Sequence, residues 1–189
     1  MKRLFALALL LPMLGGCFGS GKNPVKVTTP GPVSPYLVPS SPQAVLNNLI
    51  KSYTERDTTH YKQCYDVSYV GQSYSAYDTA GSYNPGNYSY TSEVLHIAAL
   101  RRSTTVVHVS LTLPNYQAAR MDTFPADPPG VVAMSIYNPS VQIDDASGTI
   151  AIATWEVFQF KFISKADSSS PTGRTWKIFS WTEIAPASP

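Results

Sequence analysis

Glu156 sits between Trp155 and Val157 in an otherwise apolar run. A carboxylate turned inward there loses hydration, its pKa rises, and it can serve as a general acid or base. Buried carboxylates are rare, and a residue beside a strand bend faces water about as often as it faces the core, so catalysis is the lesser reading of Glu156. The three histidines, His60, His96 and His108, form no His-x-x-x-His pair and have no cysteine cluster beside them, so no metal site is expected. Asp144-Asp145 ahead of Ser147-Gly148 has the shape of a Ca²⁺-loop fragment, but two acids without further oxygen ligands make a hairpin turn. No cofactor is expected.

The sharpest chemical signal is Leu14-Gly15-Gly16-Cys17. It follows Lys2 and Arg3 and an apolar run from Leu4 to Leu14, the three parts of a secretory signal over residues 1–16. The run is about half the roughly 20 residues needed to span a hydrocarbon core, so it targets rather than anchors. The cut site resembles the lipobox of bacterial lipoproteins, in which the cysteine is acylated and becomes the first residue of the mature chain. Each buried methylene contributes about 0.8 kcal/mol, so several acyl chains on Cys17 would hold the protein to a bilayer almost permanently. Phe18 stands where lipoproteins kept in the inner membrane tend to carry Asp, and that resemblance implies the outer membrane, facing the periplasm.

The chain has 189 residues, 43% hydrophobic and 14% charged, with a formal charge of +2. That composition closes one ordinary core, and the near-balanced charge excludes binding to a nucleic-acid backbone as the main business. Cys64 is the only thiol besides Cys17. No intrachain disulfide is therefore expected, and the apolar helical pattern around Cys64 points to inert packing.

Residues 17–40 hold Pro24, Pro30, Pro32, Pro35 and Pro39 and no repeating apolar face, which makes an extended tether. A single domain over 41–189 then opens on Ser41 as N-cap and Pro42 at the first helical position. Val45, Leu46, Leu49, Ile50 and Tyr53 form one helical stripe ending near Arg56. Asp57-Thr58-Thr59 caps a short second helix carrying Tyr61, Cys64 and Tyr65. After an irregular stretch, Thr91 or Ser92 caps a third, with Val94, Leu95, Ala98 and Ala99 inward and Arg101 and Arg102 in its last turn.

Beyond it the period becomes two. Val107, Val109, Leu111 and Leu113 alternate with Val106, His108, Ser110 and Thr112, a strand with one wet face. Further strands fall at about 131–137, 141–144, 149–163 and 175–184. The apolar phase of the long strand shifts near Thr154 to Glu156, a bend that curls a sheet. The expected class is α+β, a curved antiparallel sheet wrapped around N-terminal helices.

This order of elements resembles the nuclear transport factor two-like superfamily, the cystatin-like α+β cones. The carrying residues are Ser41-Pro42-Gln43-Ala44-Val45-Leu46 through Tyr53-Thr54-Glu55-Arg56-Asp57, and the closing Thr175-Trp176-Lys177-Ile178-Phe179-Ser180-Trp181-Thr182-Glu183. The resemblance covers roughly 41–185 and implies fold, since such cones host enzymes, binders and adaptors alike. It also implies that the open sheet face can pair two copies into a homodimer. The family's isomerase- and dehydratase-like enzymes place a carboxylate or His with Tyr inside the cone, but none of their patterns maps here residue by residue.

Eight of the twelve tyrosines lie between Tyr61 and Tyr90, among Ser, Gly and Asn. Tyrosine combines large contact area with a hydroxyl at low entropy cost, so Tyr74, Tyr77 and Tyr83 are candidate contacts for an envelope protein or glycan. The expected function is a non-catalytic binding or adaptor domain held to the bilayer through Cys17, with a small-molecule enzyme built on Glu156 as the alternative. Cys17→Ser should move the protein from the detergent phase to the aqueous phase on phase partitioning of host membranes. An unmodified amino terminus upstream of Cys17 in the wild-type mass spectrum would refute the anchor.

Overall fold

The computed structural model describes residues 36–73, 86–121 and 127–185, all within the compact unit Ser34–Pro189. Cys17, the signal segment and most of the tether lie outside the described residues, as do Tyr74, Tyr77 and Tyr83.

Helix α1 (Pro42–Thr54) starts as its sequence dictates: the Ser41 hydroxyl accepts the Ala44 N–H at 3.1 Å, and Pro42 occupies the first turn. Its stripe of Val45, Leu46, Leu49 and Tyr53 is buried. The helix ends on Arg56, a non-glycine residue with positive φ (53°). Arg56 is held there partly because its guanidinium donates to the Val106 carbonyl at 2.8 Å. Helix α2 (Thr58–Gln63) is capped by Asp57, whose Oδ1 accepts the N–H groups of Thr59 and His60. Among the described residues no helix is long and apolar enough to cross a membrane.

Three expectations are corrected here. Tyr65 does not close α2; it opens strand β1 (Tyr65–Ser73), which pairs with β2 (Gly86–Ser89) in the stretch expected to be irregular. Helix α3 (Tyr90–Arg102) begins earlier than Thr91 or Ser92 would place it. Ser89 is its N-cap and exchanges hydrogen bonds with Ser92, each residue's side chain accepting the other's backbone N–H. Its inward residue is Ile97, flanked by half-buried Glu93 and Leu100, while Leu95 is 58% exposed and Ala99 is exposed.

Strand β3 (Val106–Thr112) buries Val109 and Leu111, with Leu113 just beyond it, but a register shift between Val106 and His108 turns Val107 out to 55% exposure. β4 (Arg120–Met121), β5 (Val132–Tyr137), β6 (Ser140–Asp145), β7 (Gly148–Thr154), β8 (Val157–Ala166) and β9 (Arg174–Ile184) follow. Among the described residues the order is β2-β1-β9-β8-β5-β4 in one sheet and β3-β6-β7 in the other, with β1 and β9 parallel and the remaining pairs antiparallel. The expected long strand is thus two strands in two sheets.

The break is a double corner. The last pair of β5 and β8 is Tyr137 with Val157, and the first pair of β6 and β7 is Ser140 with Thr154. Between them Asn138-Pro139 faces Trp155-Glu156: the Asn138 N–H donates to Glu156 O at 3.0 Å and the Trp155 N–H to Pro139 O at 3.1 Å. Asn138 takes a left-handed conformation (φ 55°) that asparagine tolerates better than most residues. The ladder thus turns without losing its hydrogen bonds, and the curved, unclosed sheet wraps α1, which packs on β3 and β9. Inside the curl Phe158, Phe160 and Phe162 are fully buried, each stabilising the fold by about 1.5–3 kcal/mol.

The last residues of the expected tether belong to the body of the fold. Leu37 receives two hydrogen bonds' worth of attention from buried Asn48: its N–H donates to Asn48 Oδ1 at 2.8 Å and its carbonyl accepts from Asn48 Nδ2 at 2.7 Å. The Trp176 N–H donates to Pro39 O at 2.8 Å, and the Tyr36 ring stacks on His60 at 3.7 Å between centroids. Asn48→Ala should cost about 1–3 kcal/mol by urea unfolding and speed protease cleavage just before Ser41; cleavage at the wild-type rate would show that the strap is not held by Asn48.

Candidate functional site

The double corner and the three helices border an open cavity of about 510 Å³. Tyr53, Tyr61 and Tyr88 line it from α1, α2 and β2, and Glu93 and His96 from one face of α3, three residues apart. Leu111, Val141 and Ile143 make its aliphatic side; Trp155 lines it beside the corner, and Trp181 and Glu183 from β9. A smaller crevice of about 180 Å³ lies at the strap, lined in part by His60 and Cys64. There His60 Nδ1 is 2.6 Å from Asp57 Oδ2, and Cys64 is 4% exposed, so neither offers a free reactive group.

Glu93 is the centre of a tyrosine cluster. The Tyr61 hydroxyl donates to its Oε2 at 2.8 Å, the Tyr69 hydroxyl to its Oε1 at 3.2 Å, and Tyr65 donates to Tyr61 at 2.8 Å. Burial pushes the Glu93 carboxyl above the ordinary glutamate range, and the two phenol hydrogen bonds only partly hold it down. Burial and then the Glu93 charge raise Tyr61 and Tyr69 in turn, so both phenols stay protonated and remain donors. Tyr69 reaches Glu93 across Gly71: a Cβ there would strike the Tyr69 hydroxyl.

His96 Nε2 lies 3.1 Å from the Tyr53 hydroxyl, with the two rings stacked at 5.8 Å between centroids. Desolvation lowers the His96 pKa, so the imidazole is neutral at neutral pH. Trp155 and Trp181 are both set by Phe158, at 4.9 Å between centroids in each case. Trp181 is only 7% exposed, and its buried indole N–H has no acceptor among the described residues. A carboxylic acid of raised pKa beside a neutral imidazole can exchange a proton with a bound molecule; aromatic walls with a carboxylate can also simply hold one.

Glu156, the carboxylate singled out by sequence, is exposed and does not line this cavity. Its backbone serves the corner, while the acids inside are Glu93 and Glu183. His108 is on the outer side of β3, 3.0 Å from Asp144, and His60 is at the strap, so the histidines are dispersed. Among the described residues no group of three or more His, Cys, Asp or Glu side chains could hold a metal ion. Asp145 closes the β6–β7 hairpin, its Oδ1 accepting from the Ser147 N–H at 2.7 Å and the Ser147 hydroxyl at 2.6 Å. Cys64 is packed, and burial pushes its thiol up to about 12. Of the Tyr-rich segment, Tyr61, Tyr65 and Tyr69 are buried core rings, and Tyr88 and Tyr90 pack against that core.

No protein-family model and no curated protein matches the chain. Solved structures do. A conserved protein from Planctomyces limnophilus DSM 3776 superposes with a TM-score of 0.52 and 8% identity, over 75% of this chain and 91% of that one. A nuclear transport factor 2 (NTF2-like) superfamily protein from Salmonella enterica serovar Typhimurium gives 0.49 and 12% identity, over 76% and 87%. Bd1075 of Bdellovibrio bacteriovorus gives 0.47 and 10% identity over 76% of this chain, which spans 40% of that longer one. The likeness is one of fold alone, an α+β architecture with a curved, unclosed sheet.

The raised Glu93 pKa fixes the sign of a pH effect. Its contribution to stability is fully present below the unfolded-state value of 4.5 and is lost as pH rises through the higher folded-state value. Wild type should therefore gain stability relative to Glu93→Gln as pH falls from neutral toward 4.5, measured by urea unfolding across that range. The lowered His96 pKa acts oppositely, costing stability as pH falls below 6.5, but it is common to both proteins and cancels. A difference independent of pH would mean that Glu93 is not desolvated.

Proposed function

We propose that this chain is a lipid-anchored domain of the bacterial cell envelope that binds a small molecule in the mouth of its cone without transforming it. The observation that carries the reading is the cavity of about 510 Å³ between the two sheets. Its volume is within the usual roughly 300–1,000 Å³ of ligand pockets, and its mixture of apolar walls with a few polar groups is the usual pattern of such sites. The Leu14-Gly15-Gly16-Cys17 sequence supports the anchor and the envelope location. Phe18 after the cysteine supports the outer membrane.

Binding is preferred to turnover because the reactive groups are already tied to the protein. Each oxygen of Glu93 accepts a phenol hydrogen bond, and His96 Nε2 is paired with Tyr53. A carboxylate still has lone pairs for a ligand's donors after two such bonds, so the arrangement orients a guest. One observation favours the second reading, an acid/base enzyme: Glu93 and His96 face the same cavity with their pKa values displaced toward each other.

The test is native mass spectrometry of the protein released from host membranes in detergent. Wild type should carry an additional small-molecule mass that is absent from Ala153→Trp, in which the new indole occupies the cavity lined by Ala153. Two bare masses would overturn the binding reading. If the released molecule is converted by the wild-type protein and not by Glu93→Gln, the enzyme reading replaces it.

A further inference from the structure

We propose that the guest of the cone is a small organic cation, a protonated or quaternary amine on an apolar frame. This rests on the binding reading above and specifies its ligand class. Among its described lining residues are the acids Glu93 and Glu183 and no lysine or arginine. Four of the described cations are engaged elsewhere, Lys51 with Glu55, Lys161 with Asp127, Lys165 with Asp66 and Arg56 with Val106 O. His96 is exposed on one side, and its packing in the cavity lowers its pKa, which disfavours a positive charge there.

The described hydrogen-bond partners of Glu93 are two phenols, which orient its carboxylate without neutralising it. Its remaining lone pairs call for donors, and an ammonium supplies donors together with the missing charge. A carboxylate or phosphate guest would instead place like charge beside Glu93 in a partly desolvated site, which costs free energy.

The walls favour the same class. Tyr53, Tyr61, Tyr88, Trp155 and Trp181 line one cavity, and tyrosine and tryptophan faces attract an organic cation by about 0.5–2 kcal/mol each when water is excluded. Both tryptophans are held against Phe158, so the indole positions are set before a guest arrives. Leu111, Val141 and Ile143 complete an aliphatic side suited to the apolar part of such a molecule.

The experiment is titration calorimetry of the acylated protein in detergent with phenethylammonium, choline, benzyl alcohol and benzoate, at neutral pH. At least one of the two cations should bind while benzoate does not, and Glu93→Gln should weaken the cation by roughly tenfold, as expected for losing one charge-assisted hydrogen bond. Glu93→Asp, which keeps the charge, should retain most of the affinity; it also separates a charge effect from a folding defect, with thermal unfolding recorded for both variants. Benzoate or benzyl alcohol binding as tightly as the cations would overturn the cation class while leaving the cavity reading standing, provided Ala153→Trp abolishes it. Cation affinity unchanged in Glu93→Gln would also overturn it. No probe binding would overturn the class, and only a bare native mass as well would sink the cavity reading with it.

Discussion

The architecture depends on two strand pairs leaving one sheet for the other at the same level. Asn138-Pro139 and Trp155-Glu156 turn together and stay hydrogen bonded to each other through the turn. A lone bend in either strand would leave unpaired backbone groups beside the core, a cost of about 1–3 kcal/mol for each buried one. Because the corner is double, the sheet curls at little such cost. The curl then makes both the space that α1 fills and the space that stays open as the cavity. Trp155 is part of the corner and also part of the cavity wall, so the element that shapes the site also furnishes it.

Placing Glu93 beside this cavity works against stability. Its carboxyl is partly removed from water with no basic residue hydrogen bonded to it among the described residues, and the compensation comes from Tyr61 and Tyr69, themselves backed by Tyr65. Such networks are favourable when satisfied and costly when incomplete. The dependence runs on to Gly71, where the absence of a Cβ leaves room for the Tyr69 ring. Within the tyrosine-rich stretch, Tyr61, Tyr65 and Tyr69 are therefore the scaffold of a half-buried charge, their hydroxyls donating toward it.

At the other end of α1, Asn48 and the backbone of Trp176 take hold of Leu37 and Pro39. The chain leading toward the expected anchor thus enters the fold through hydrogen bonds to α1 and β9, ahead of Ser41. Tyr36 adds a bond from its hydroxyl to Glu55 Oε2 at 2.7 Å, and its ring lies over His60. These contacts secure the helix around which the sheet curls.

The sequence alone settled what short-range physics controls. Ser41-Pro42 and Asp57 are caps because their own side chain or ring acts within three residues. The alternation in β3 from Val109 onward and the phase shift near Thr154 to Glu156 were legible because neighbouring side chains on a strand must face opposite ways. Tertiary structure decided the rest. β1 is polar and glycine-containing and becomes a strand by pairing with β9, more than a hundred residues later in the chain. The inward face of α3 is set in part by Tyr61 and Tyr69, 32 and 24 residues before Glu93, so Leu95 and Ala99, expected inward, are exposed. Glu156 lies in the more apolar run and is exposed, while Glu93 lies in a weakly amphipathic helix and is half-buried with its carboxyl desolvated. Burial of a charge is a property of what surrounds it in space, and for Glu93 those surroundings come from distant parts of the chain.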